Sequence, residues 1–175
     1  MSNTITEPFC GVPDELDKDI MMYCQHGAYI KGKCRKRWVG AVIVATVDGV
    51  LNWEPELTTI ATNNTPRSND WSVGSGGKLE CDSGCQCGKT LHAEMLAIHQ
   101  FKEEWCGRLW KEDYTRLEPT LYTTHFPCQK CTTELIKFGV KHIVIASSEP
   151  NEPSDLEFLL KAVERGDVDV RWVVE

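Results

Sequence analysis

A chain of 175 residues with 41% hydrophobic and 26% charged residues fits a single globular domain spanning 1–175, long enough to bury roughly 70% of its unfolded surface without disulfides. Its formal charge of -7 repels phosphodiester backbones on average, which counts against a polynucleotide partner, and no stretch is long and apolar enough to span a bilayer. The first residues have neither the basic segment nor the apolar run of a secretory signal, so the expected compartment is the cytoplasm, where nine cysteines serve metal or catalysis rather than disulfides.

The spacing of Leu16, Ile20 and Tyr23 after Pro13 predicts a helix over residues 14–29, with acidic residues in its first turn and Gly32 past its end. The basic segment Lys31-Gly32-Lys33-Cys34-Arg35-Lys36-Arg37 follows, readable either as a solvated helix end or as a phosphate contact. Residues 39–47 form a β-branched and small-residue run closed by Asp48-Gly49, a hairpin dipeptide, with a return strand expected at about 57–62. About 63–89, rich in Asn, Ser, Gly and Cys, reads as a long Cys-rich loop insertion, and loops of that length are usually functional or stapled by metal.

Leu91, Met95, Ile98 and Phe101 recur at helical spacing and predict an amphipathic helix over 91–105. Strands at 120–124, 142–147 and 168–174 alternate with helices at 128–138 and 155–164. Strand-helix alternation implies parallel pairing through crossovers, whereas the early hairpin is antiparallel. The expected architecture is α/β, a mixed sheet of about five strands with helices on both faces.

Two stretches carry chemistry. His92-Ala93-Glu94 opens one predicted helix, and Pro127-Cys128-Gln129-Lys130-Cys131 opens the next. Cys128 and Cys131, three apart on a helix, share one face and can reach the same ion. Pro127 suits a helix start, where the positive end of the helix dipole favours thiolates. His92 would complete three protein ligands and leave the fourth tetrahedral position of a Zn2+ open to water, whose pKa then drops towards about 7. Glu94 decides between readings: a structural zinc gives it no role, whereas hydrolysis needs a proton carrier beside the metal. A lone C-x-x-C or H-x-E is weak; in this order, each at a helix start, they match the H-x-E and P-C-x-x-C signature of zinc deaminases.

On these residues, together with Trp38-Val39-Gly40-Ala41-Val42-Ile43 and Leu121-Tyr122-Thr123-Thr124-His125-Phe126-Pro127-Cys128, the chain resembles the deoxycytidylate deaminase branch of the cytidine deaminase-like superfamily. The resemblance implies a three-layer α/β/α sandwich, catalytic zinc on His92, Cys128 and Cys131, and proton transfer by Glu94. It also implies a substrate contact from the Ala93 amide. The family's Gly-Tyr-Asn-Gly segment before a proline corresponds to Ala61-Thr62-Asn63-Asn64-Thr65-Pro66, where Asn63 keeps the spacing of the sugar-contacting asparagine but the glycines and tyrosine are missing. His125 and Phe126 occupy positions that vary among relatives with different substrates, and Phe126 would either stack on the base or fill the core.

A second, structural zinc is a separate expectation. Cys81, Cys85 and Cys87 fall within a loop too polar to order itself by burial. Cys34 is the fourth ligand that the resemblance suggests, with His26, Cys24 and Cys106 as alternatives and free thiols as the reading without metal. The functional expectation is deamination of a cytosine nucleotide, dCMP to dUMP plus ammonia, by an assembly of two or six copies, as relatives form, with dCTP or dTTP as effectors as in some relatives. Its rivals are a deaminase of a base within RNA or DNA, like the tRNA adenosine deaminases, and a zinc-binding module without catalysis.

Overall fold

A computed structural model describes residues 15–31, 38–48, 50–53, 60–63, 92–109, 117–147, 149–150 and 152–173. The chain order is α1 (Glu15–Lys31), β1 (Gly40–Val47), β2 (Val50–Asn52), β3 (Ala61–Thr62), α2 (Ala93–Leu109), β4 (Leu117–Thr123), α3 (Gln129–Phe138), β5 (His142–Ile145), α4 (Pro153–Glu164) and β6 (Asp169–Trp172). The sheet runs β2-β1-β4-β5-β6, with β3 paired to the start of β1.

Pairing follows connection length. β1 meets β2 antiparallel through a tight turn, Val47 opposite Val50, with Asp48 at φ 48, the left-handed conformation that such hairpins require. β4 meets β5, and β5 meets β6, in parallel, each connection carrying a helix across the sheet. β1 and β4 pair antiparallel from Ala41–Thr123 to Val47–Leu117.

Alternation along the strands divides the core in two. Ala41, Ile43, Ala45, Leu121, Ile143 and Ile145 point to the face covered by α2, α3 and α4. Val42, Val44, Tyr122 and Val144 point to the other, against Ile20, Met21 and Cys24 of α1. The fold is therefore an α/β/α sandwich with, among the described residues, one helix on one face and three on the other. Each fully buried Leu or Ile contributes about 1.5–3 kcal/mol, so the central strands hold the assembly. Gly40 permits the closest approach of α1: a Cβ there would lie 2.4 Å from the Cys24 carbonyl oxygen.

Two expectations are refined. The hairpin returns first in β2 directly after the turn; β3, inside the expected range 57–62, pairs with the opposite end of β1, and residues 57–59 lie outside the described ones. The buried stripe of α2 is not the Met95–Ile98–Phe101 ridge alone: Ala93, Glu94, Ala97, Ile98 and Phe101 are buried and Met95 only partly. Alanines let α2 lie close to the sheet, and a pattern built on large side chains overlooks them. Most of the Cys-rich loop at 63–89 lies outside the described residues. Among those described, no helix is long and apolar enough to cross a membrane.

Candidate metal centre

The site lies where two helices begin. His92 immediately precedes α2, and Cys128 immediately precedes α3, with Cys131 in its first turn. α3 is anchored at its far end by Gly139, whose left-handed φ of 101 allows Gly139 and Val140 to return their N–H groups to the Ile136 and Leu135 carbonyls. Leu135, fully buried, fixes the helix against the sheet.

His92 Nδ1 lies 3.6 Å from Cys128 Sγ and 3.3 Å from Cys131 Sγ. All three ligand atoms fall within 4.8 Å of one another. A tetrahedral zinc with Zn–S of about 2.3 Å and Zn–N of about 2.0–2.1 Å has N···S edges of about 3.6 Å, so the one nitrogen and two sulfurs fit that ion. Borderline-soft donors of this kind select zinc over calcium or magnesium, which take oxygen. Three protein donors leave a tetrahedral ion one position for a small ligand.

The electrostatics suit a cation. A hydrogen bond from the Cys131 thiol, reinforced by His92, holds the Cys128 thiol down at about 4 despite its partial burial. Cys131, as donor in that pair and itself buried, is pushed well above the ordinary thiol range. The contact with Cys128 raises the His92 imidazole, against the opposing effect of burial.

Glu94 is 3% exposed, on the sheet-facing side of α2, with Oε2 3.9 Å from Cys131 Sγ. Burial pushes its carboxyl up to about 7, where it can both accept and release a proton near neutrality.

The remaining candidates are placed by the same edge of the sheet. Asn63 is buried; its Oδ1 accepts the Val39 N–H at 3.0 Å and its own N–H reaches the Val39 carbonyl at 3.1 Å. One residue on, the Gly40 N–H donates to Thr124 Oγ1 at 3.0 Å and the Thr124 N–H returns to the Gly40 carbonyl at 2.9 Å. Thr124 Oγ1 is also 3.0 Å from His125 Nδ1, which ties the half-buried His125 ring to that rung. Ala93 is fully buried at the start of α2. Phe126 is 2% exposed and packs in the core, with its ring centroid 5.7 Å from that of Trp172, which favours filling over stacking on a base.

Cys34, Cys81, Cys85 and Cys87, the candidate second metal site, lie outside the described residues. Of the alternative fourth ligands, Cys24 is fully buried between α1 and the sheet, its thiol raised by desolvation, and His26 is exposed on α1. Thr124 and Asp155 escaped the sequence reading. Asp155 Oδ1 accepts the Gln129 N–H at 2.9 Å across 26 residues. From sequence, an acidic residue in a helix's first turn signals only a favourable dipole on its own helix.

Residues 14–147 match the model of the cytidine and deoxycytidylate deaminase zinc-binding region. ComE operon protein 2 of Bacillus subtilis (strain 168) is 31% identical over 97 residues, which is 50% of this chain and 45% of that protein; the chain thus spans less than half the length of this curated relative. Among solved structures, the dCMP deaminase of cyanophage S-TIM5 in complex with dCMP and dUMP superposes with a TM-score of 0.61 at 20% identity, over 93% of this chain and 100% of that one. The Rib2 deaminase of Aspergillus oryzae, a C-terminal deletion mutant, gives a TM-score of 0.56 at 17% identity, over 91% and 85%.

Proposed function

The chain belongs to the cytidine and deoxycytidylate deaminase family, and from that premise we propose that it hydrolyses the exocyclic amine of a cytosine nucleotide, dCMP foremost, to give the uracil nucleotide and ammonia. One observation carries the reading: a buried carboxyl with a pKa of about 7 stands 3.9 Å from one sulfur of a His-Cys-Cys ligand set. A structural zinc has no use for that group, whereas carboxyls raised by burial beside a ligand cluster are characteristic of sites that transfer protons.

His92, Cys128 and Cys131 would hold the ion. When bound, zinc would supply the Lewis acidity that makes water a nucleophile near neutral pH. Glu94 carries two protons in turn: its carboxylate takes the first from the attacking water and passes it to the ring nitrogen so that C4 becomes electrophilic, then takes the second from the hydroxyl added at C4 and delivers it to the amine, which departs as ammonia. Burial at the start of α2 keeps the carboxyl desolvated. His125, anchored through Thr124, and Asn63, anchored on Val39, are the side chains assigned to the rest of the nucleotide. Support for a deoxynucleotide comes from the similarly folded cyanophage enzyme, a dCMP deaminase with dCMP and dUMP bound.

The test is ammonia release from zinc-loaded protein offered dCMP, CMP, deoxycytidine, cytosine, dCTP and 5-substituted dCMP. Turnover highest on dCMP is expected. Release from free cytosine alone would overturn the nucleotide assignment, and none from any substrate would overturn the deaminase reading.

A further inference from the structure

We propose that Asp155 is a positioning residue for both sulfur ligands, an inference that rests on His92, Cys128 and Cys131 holding zinc. The first turn of a helix leaves amide donors unsatisfied, and the N-cap side chain usually accepts from them with an oxygen. In α3 that place belongs to Cys128, extended at φ -69 and ψ 164, and its side chain makes no capping hydrogen bond. The sulfur is turned to His92 Nδ1 instead.

No acidic residue lies in the first turn of α3 itself. The acceptor comes from another helix: Asp155 Oδ1 takes the Gln129 N–H at 2.9 Å. Asp155 is 7% exposed, and its own N–H bonds to the Glu152 carbonyl at 3.0 Å, so its backbone is fixed in the first turn of α4. α4 in turn is seated by Leu159 and Ala162, both fully buried. Gln129 stands between the two cysteines, so the amide that Asp155 holds sets where both sulfurs begin. The capping duty moves to α4, and the Cys128 sulfur is released to the metal.

The experiment compares full-length, zinc-loaded wild type with Asp155→Ala and Asp155→Asn, following zinc release to a colorimetric chelator and the sulfur-to-metal charge-transfer band of the cobalt-substituted protein. Neither readout involves substrate or turnover. Asp155→Ala should release zinc about 10–100-fold faster and shift the band, as loss of an outer hydrogen-bonding partner does elsewhere. Asp155→Asn, which keeps an oxygen acceptor, should restore both close to wild type. If Asp155→Ala does not fold, Asp155→Ser, too short to reach the Gln129 amide, reads the same quantities.

Wild-type release and an unchanged band in the Ala or Ser variant, with only Tm lowered, would overturn the proposal. So would an Asn variant as leaky as the Ala one, since charge rather than the hydrogen bond would then matter. Failure of wild type to retain one zinc per chain would instead sink the metal reading on which the proposal rests.

Discussion

Tyr122 donates a 2.7 Å hydrogen bond to Asp17, a carboxylate 2% exposed whose other oxygen lies 2.9 Å from the Arg171 guanidinium. The contact joins α1, β4 and β6 on the face of the sheet away from α2 and α3. Breaking a buried pair by removing one partner costs about 3–5 kcal/mol, and the partly exposed Arg171 regains some water, so Asp17→Ala should fall near the lower end. Tyr122→Phe should cost about 1–3 kcal/mol. Urea denaturation checks both, with zinc content unchanged; loss of zinc at full stability would contradict this division of the two faces.

Glu94→Gln preserves shape and removes the titratable proton. The variant should keep its zinc and its fold while turnover on the preferred nucleotide drops by about 10²–10⁴-fold. Metal analysis and ammonia release read the two sides separately, and comparable turnover would remove Glu94 from the proton path.

Because the three ligands must come together from two helix starts, the ion should contribute to the stability of the fold. A chelator should lower Tm, and zinc should restore it, by a margin approaching about 4 kcal/mol when free zinc is a thousand times Kd. Stripping should grow easier as pH falls, since imidazole and thiols bind metal only when deprotonated. Cys131→Ser should lose the zinc dependence of Tm, and a dependence equal to wild type would place the ion elsewhere.

Gly40→Ala should destabilise by about 1–3 kcal/mol, because the added methyl would sit 2.4 Å from the Cys24 carbonyl oxygen and 3.0 Å from Ala28 Cβ. Gly139→Ala meets no neighbour, but its φ of 101 is strained for an L side chain, at about 1–2 kcal/mol. Thermal unfolding of the two variants measures both, and a Gly40→Ala protein as stable as wild type would mean that α1 can move off the sheet.

The sequence alone supplied the candidate metal ligands, the candidate proton carrier and the layering. A histidine, a glutamate two places on, and two cysteines three apart behind a proline are local patterns, and their spacing on a helix start is fixed by helix geometry whatever surrounds them. The strand-helix alternation after Leu117 likewise prescribes parallel pairing, and Asp48-Gly49 prescribes the hairpin, because both depend on connection length and turn stereochemistry. What only the tertiary structure decided are relations between distant segments: the His92 nitrogen within 3.6 Å of both sulfurs, the burial that lifts Glu94, the tie from Asn63 to Val39, and the cap that Asp155 lends to α3. No periodicity encodes these, since each arises where packing excludes water and leaves a polar group one partner within reach, and that partner is chosen by the fold rather than by its neighbours in the chain.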